Sequence, residues 1–582
     1  MASTYDSYYW IEQKTGTYSD VLETFGLAKL LNLISEKVHR KPKDFIIQDS
    51  GVGYYSVAPI IDEKELRDLK YFQVFKFIKK DSKTKIPESI NDWFDYPKQK
   101  ETRNYFREKE SEITNDNSLS PDSKKHQIKK LREEQQSEFG GKLDKEFDVY
   151  REIVQNPYEA FLKVYENFSK YNKNFEELIK GMLRYYRTGE LPSFKLDVNN
   201  KITSQQLFAP NQGKGLNRPK ANNLSMGNIQ MYWIQEAMKI TGALEIMICQ
   251  YVKVGSSFDL KVYVPDFKNI ELNKAIEITN EFKRYLKSNT PVKLDILNIL
   301  RFIERFIERS ENYNERVKDT VKGLHAVYQK SLGQNRAVTN IAFYEIPSFI
   351  EYTNQEEGYQ WLNFLYSQRK ILEGIEERGD AINGLLNYRN FLSSADLTSF
   401  LDFMRWYATH LMQALSNNKY VAPFKTNCLN QIFFAMDNQN LNLKEIIENP
   451  GFQAVAKAIR KSTVSLQYSP PENRQYDIRY GMAQQLQNKR KSKEDLAAFI
   501  GDFIGTYNAE TARVKEKAGK DAKVRANVKD EELKSFYELV DQYSPKLIAS
   551  LLASYGFALT DKEEKSVSVE EEAQEVNDEK EL

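Results

Sequence analysis

The chain holds four histidines, His39, His126, His325 and His410, and no two stand at the spacing of a metal-binding pair. Its two cysteines, Cys249 and Cys428, lie far apart and form no Cys-x-x-Cys unit, which excludes a disulfide framework or a zinc knuckle. Gly213-Lys214-Gly215 lacks the strand-to-helix context of a phosphate loop, and no Gly-x-Ser-x-Gly elbow occurs. One carboxylate pattern remains. Asp266 follows a strand-like run, with Glu281 and Lys283 some way on. A magnesium nuclease gathers those three residue types around one ion, which needs Glu281 and Lys283 on a neighbouring strand. Instead, Leu272, Ala275, Ile276, Ile278 and Phe282 recur at helical spacing, so the pair is expected on a helix. The sequence therefore predicts no catalytic residue, no metal and no cofactor. A stand-alone metal-dependent nuclease stays as one alternative.

Basic patches offer different chemistry. Residues 211–223 contain Lys214, Arg218 and Lys220 and no acidic residue. Gln212, Asn217 and Asn222 add amide donors and acceptors, and two glycines let backbone approach a ligand closely. These are the groups that clamp phosphates and meet base edges. A plain surface loop is the alternative. Farther on, Lys and Arg outnumber Asp and Glu fifteen to eight between residues 457 and 525, in a chain whose net charge is only +1. Such a segment suits backbone tracking of a single strand, and a solvated face is the alternative. Aromatics reach 13 %, which suits core filling first and stacking on bases second.

These patches need elements to hold them. The apolar run from Val21 to Leu33 predicts a helix over 18–38. Phe45-Ile46-Ile47, the turn Asp49–Gly53 and Tyr54–Val57 predict a strand pair. Tyr71–Ile78 alternates like a third strand, and 244–254 with 260–264 like two more. The stretch 98–148 is charged and poor in large apolar residues, which predicts a protruding helical hairpin; its Lys124, Lys125, Lys129, Lys130 and Arg132 are a second set of candidate phosphate contacts. From 270 to 465 almost everything reads as helix, and further helices are expected at 477–490, 493–515, 530–542 and 545–556. The expected fold is α+β and predominantly helical. It comprises a mixed domain over 1–270 with small antiparallel sheets, a helical middle over 271–465, a C-terminal bundle over 466–560 and an acidic, disordered tail over 561–582. The N-terminus lacks a signal-peptide layout and no run is long enough to span a membrane, so a cytoplasmic protein is expected.

Three features together resemble a known family. A basic, Asn-rich loop leads into Asn223-Leu224-Ser225-Met226 and the helix Tyr232-Trp233-Ile234-Gln235-Glu236-Ala237-Met238-Lys239. The bundle opens with Asp477-Ile478-Arg479-Tyr480-Gly481-Met482-Ala483-Gln484. The layout, spread over most of the chain, resembles the large subunit of type I CRISPR surveillance complexes (Cascade) of the I-B group. The resemblance implies a non-catalytic subunit that sits near the 5′ handle of the CRISPR RNA. It would recognise the protospacer-adjacent motif in double-stranded target DNA, support R-loop formation and recruit a helicase–nuclease, alongside other Cascade backbone and small subunits. Target sequence beyond the motif is read by base pairing. By position, Lys214, Arg218 and Lys220 would neutralise phosphates while Gln212, Asn217 and Asn222 met base edges. Arg479, Lys489, Arg490, Lys491 and Lys493 would guide the displaced strand. The resemblance also implies a bundle like the separate small subunit, with Met436 as a candidate internal start. A Cascade serving a transposon and a purely structural helical adaptor for protein partners are the other readings.

Overall fold

The computed structural model describes residues 7–88, 90–192, 200–211, 229–287, 289–309, 317–333, 335–437, 441–467, 474–518 and 524–560. The fold is α+β and predominantly helical, with small antiparallel sheets. Two compact units result. The first holds the described residues up to 346 apart from 291–300, and the second holds 291–300 and the chain from 347 onward.

The first unit starts with β1 (Tyr9–Glu12), α1 (Tyr18–Val38), β2 (Ile46–Asp49), β3 (Tyr54–Ala58), β4 (Phe77–Lys79) and β5 (Trp93–Asp95). Helices α2 (Tyr96–Asn115), α3 (Pro121–Glu138), α4 (Asp148–Val154), α5 (Tyr158–Lys170) and α6 (Phe175–Thr188) follow. Next come β6 (Lys201–Thr203), β7 (Gln230–Tyr232), α7 (Trp233–Ile246), β8 (Ile248–Val254), β9 (Ser257–Phe267), β10 (Asn269–Glu271) and α8 (Leu272–Arg284). Helix α9 (Pro291–Arg309), α10 (Val317–Thr320), β11 (Val321–Leu332) and β12 (Asn335–Glu345) lead to the second unit. One sheet has the order β1-β3-β2-β10 and another β12-β11-β9-β8, with every neighbour antiparallel.

Helix α1 is capped by the Thr17 side chain, which accepts from the Ser19 amide, and it is buried on nearly every face. It crosses α7 backbone to backbone: a Cβ on Gly26 would lie 1.8 Å from the Met238 carbonyl oxygen, and one on Gly242 would lie 2.0 Å from that of Leu22. Only glycine allows this approach. The charged stretch after β5 forms α2 and α3, of which α2 buries only Gln99 and Phe106 and α3 buries nothing. Of its candidate phosphate contacts, Lys124 donates to the Thr114 carbonyl at 2.8 Å and Arg132 pairs with Glu110 at 2.8 Å, while Lys125, Lys129 and Lys130 are exposed.

Two expectations need correction. The third strand, read over Tyr71–Ile78, shrinks to Phe77–Lys79, because Tyr71 and Phe72 turn edge-on to Phe175 and Gln73 caps the Phe75 and Asp92 carbonyls. Residues 321–345, read within a helical stretch, form β11 and β12, which pair with each other and extend the β8–β9 hairpin.

In the second unit run α11 (Gln355–Glu373), α12 (Ala381–Ser394), α13 (Leu397–Ser416), α14 (Thr426–Ala435), α15 (Leu443–Glu448), α16 (Pro450–Lys461) and α17 (Val464–Gln467). They are followed by α18 (Met482–Asn488), α19 (Lys493–Ala518), α20 (Asp530–Gln542) and α21 (Pro545–Tyr555). An aromatic core of Tyr388, Phe391, Phe400, Phe403, Phe424 and Phe433 ties α12–α14 together, and Tyr555 of α21 packs on Phe433. Gly451 lets α16 press on α20, where an added Cβ would lie 2.3 Å from the Glu532 carbonyl oxygen. Helices on both sides of the boundary expected at 465/466 thus share one core, and that boundary does not separate compact units. The acidic tail expected over 561–582 lies outside the described residues, as do residues 519–523 between α19 and α20. No helix among the described residues is long and apolar enough to cross a membrane.

Candidate nucleic-acid interface

Gln212, Lys214, Asn217, Arg218, Lys220 and Asn222 all lie outside the described residues. The foot of their loop is described. Asn211 Nδ2 donates to the Thr15 carbonyl at 2.8 Å, next to Lys14. Lys14 belongs to the lining of a cavity of about 650 Å³ in the first unit. A void of about 300–1,000 Å³ suits a small organic ligand.

Three structural pieces build that cavity. Strand β1 brings Trp10, and the β2–β3 hairpin brings Ser50, Val52 and Tyr54. Helix α6 brings Tyr185, Tyr186 and Arg187 at its C-terminal end, where Gly189 turns the chain with a φ of 76°. Helices α1 and α7 supply the floor, Glu23 and Gln235. Trp10 and Tyr54 meet edge to face at 6.4 Å, and Tyr54 is 41 % exposed. Tyr185 packs against Tyr232 at 5.6 Å. Lys14 pairs with Glu12 at 3.1 Å in the open, while Arg187 makes no ion pair among the described residues. Aromatic faces flanked by cations are the parts that hold unstacked bases and their phosphates.

The floor is a buried polar network. Glu23 Oε1 accepts from the Tyr186 hydroxyl at 3.0 Å and from Gln235 Nε2 at 3.2 Å. Burial pushes the Glu23 carboxyl above the usual range, partly offset by the Lys239 ammonium and the bond from Gln235. Asp20 is raised by burial as well, although it accepts from Thr15 and Gly16. Burial pulls Lys239 down, but Glu236 at 2.9 Å and Glu23 outweigh it and its pKa is raised overall. The sequence held a signal for this network. Asp20 and Glu23 fall among the apolar residues of α1 and not beside its exposed Glu36 and Lys37, so they had to find partners inside.

The bundle cations divide by role. Arg479 is a packing residue: it pairs with Glu510 at 2.7 Å and lies over the Phe503 ring at 5.1 Å. The Lys493 ammonium is bonded to the Asp541 carbonyl. The other three expected strand guides, Lys489, Arg490 and Lys491, lie on the α18–α19 turn. Lys489 reaches Asp495 only at 4.0 Å, with both side chains half exposed, and Lys491 is exposed. Arg490 stands near Arg405, which pairs with Asp402 and donates to Ser550 Oγ at 2.7 Å. Burial and then the Arg490 charge push Arg405 down to about 10.

The nuclease residues are not brought together. Asp266 is 2 % exposed and accepts from the Tyr55 hydroxyl at 3.0 and 2.9 Å, with His325 Nε2 at 3.2 Å. It forms a polar joint between the two four-stranded sheets, reinforced by Lys322 bridging to Asp49. Glu281 pairs with Arg309 at 3.2 Å. Lys283 is buried and donates to the Glu245 carbonyl at 3.0 Å. Glu281 and Lys283 do lie on a helix, α8, and each of the three residues answers to a different partner set. Cys249 is buried, and burial lifts its thiol well above the range of a reactive thiolate. Among the described residues no group of three His, Cys, Asp or Glu side chains is arranged for a metal ion. No family model matches the chain, and no curated protein matches it.

Proposed function

We propose that this chain is a non-catalytic large subunit of an RNA-guided, type I-B-like CRISPR Cascade. In this reading it acts in the cytoplasm and binds the 5′-handle region of the CRISPR RNA. It recognises the protospacer-adjacent motif in target DNA, supports R-loop formation and recruits the helicase–nuclease. One observation carries the nucleic-acid part: an aromatic cavity flanked by Lys14 and Arg187 opens beside the anchored foot of an acid-free, Asn-rich loop. The exposed cations of the α18–α19 turn support a second contact, with the displaced strand. The Cascade part rests on the resemblance of the layout and of the two quoted segments.

The test is co-expression with the genomic neighbours, purification of any RNA-containing complex, and titration with duplexes of varied flanking bases at two salt concentrations. The expected result is an RNA-containing complex whose DNA affinity depends on the flank. Arg218→Ala/Lys220→Ala should weaken binding to all flanks and shallow the salt dependence by about two in slope. A chain that purifies alone and ignores nucleic acid at low salt would be a protein adaptor instead.

A further inference from the structure

The floor of the aromatic cavity carries two acceptors without a donor. Glu23 is 5 % exposed and Gln235 is 9 % exposed, yet both line the void. Both hydrogen bonds to Glu23 fall on Oε1, and no described residue donates to Oε2. The same contact turns Gln235 Nε2 toward Glu23, which leaves the amide Oε1 as the second open acceptor, with no donor among the described residues. Buried acceptors that open on a cavity call for a donor from whatever fills it.

The walls say what that occupant is. Trp10 and Tyr54 stand on the strand side and Tyr185 on the helix side, so a flat aromatic group fits. Lys14 and Arg187 sit on the lining as cations for an anionic backbone. Of the nucleobases, only guanine has two adjacent N–H donors on its Watson–Crick edge, the ring N1–H and the N2 amino group. Adenine and cytosine set one donor beside a ring acceptor. Uracil and thymine set one donor between two carbonyls.

We propose that this cavity holds one unstacked guanine of a single strand. N1–H and the N2 amino group donate to Glu23 Oε2 and Gln235 Oε1, the rings of Trp10, Tyr54 and Tyr185 pack on the base, and Lys14 and Arg187 meet the flanking phosphates. The proposal rests on the nucleic-acid reading above and narrows it to a base. The edge is the same in RNA and DNA, so either strand is a possible source.

The experiment is fluorescence anisotropy of the full chain at low salt with labelled oligoadenylates that carry one central guanine, hypoxanthine or adenine, each made as RNA and as DNA. Hypoxanthine keeps N1–H and lacks the amino group. Guanine should bind tightest, hypoxanthine next and adenine weakest, with guanine over adenine by about five- to 150-fold, the range of a two-bond base contact. Glu23→Gln should erase the order. Tyr54→Ala, at an exposed position, should weaken all three strands and keep the order. Equal binding of the three strands by the unmodified chain overturns the guanine site and leaves the nucleic-acid reading standing. No binding to any strand overturns both. A preference confined to the RNA or to the DNA set supports the site and identifies its source.

Discussion

Lys283→Met should make the protein more stable at neutral pH, and the gain should fade as the solution becomes alkaline. Lys283 sits on α8 with its ammonium sealed in, and burial pushes it down to about 8 from 10.5, against the pull of Glu245 and Cys249. At ~1.36 kcal/mol per pH unit that gap is worth ~3 kcal/mol of penalty for carrying the charge inside. The bond to the Glu245 carbonyl offsets about 1 kcal/mol, so a gain of ~2 kcal/mol is expected from an apolar side chain of similar length. Below pH 8 both folded and unfolded chains hold the proton and the penalty applies in full. Between about 8 and 10.5 the unfolded chain holds more protons than the native one, so the stability of the unmodified protein rises with pH through that window. Urea melts of both proteins across that range measure the difference directly. A variant less stable at pH 7, or a gap that stays constant to pH 10.5, would refute the account of Lys283 as a buried, costly charge. The same variant bears on the nuclease alternative, since a magnesium nuclease built on Asp266, Glu281 and Lys283 would cut DNA and lose that activity in Lys283→Met and in Asp266→Ala. No cleavage is expected from the unmodified chain.

Gly242→Ala should destabilise the first unit by about 1–3 kcal/mol, because its Cβ would sit 2.0 Å from the Leu22 carbonyl oxygen and force α1 and α7 apart; thermal melts would detect it. Lys489→Ala/Lys491→Ala should leave stability unchanged and reduce the salt slope of single-stranded DNA binding by about 1.4, at ~0.7 per phosphate contact. Arg479→Ala should do the reverse, lowering stability by about 1 kcal/mol through loss of the Glu510 and Phe503 contacts with little change in that slope. Glu23→Gln should flatten stability against pH. The Glu23 carboxyl is raised in the fold, so the unmodified protein is favoured below the ordinary carboxylate range and loses that share as pH rises through the raised value. A pH series of denaturant midpoints for the two proteins would show it.

The sequence by itself determined those elements whose signals are local. Helix α1 begins one residue after Thr17, α19 follows Ser492, whose Oγ accepts from the Asp495 amide at 3.1 Å, and α21 starts at the Ser544-Pro545 pair. The hairpin of β2 and β3 turns through Ser50–Gly53 as its residues require. Period and capping act over a few residues, so they are legible without the fold. They were present for β11 and β12 too, in the β-branched and aromatic residues around the Gly333 turn, but a run of helices on either side masked them. The candidate cavity belongs to the other class. Trp10, Glu23, Tyr54, Tyr185 and Gln235 are scattered from residue 10 to residue 235, and none carries a motif. They meet because Gly26 and Gly242 let α1 and α7 touch, which lines up Glu23 with Gln235. The same holds for Asp266, whose neighbour in chemistry is Tyr55, 211 positions away, and not Glu281. Likewise, Arg479 and Lys491 look alike as cations in a basic segment. Only packing decides that one is spent on Glu510 while the other faces water, because the energy of a charge depends on what surrounds it and not on its place in the chain.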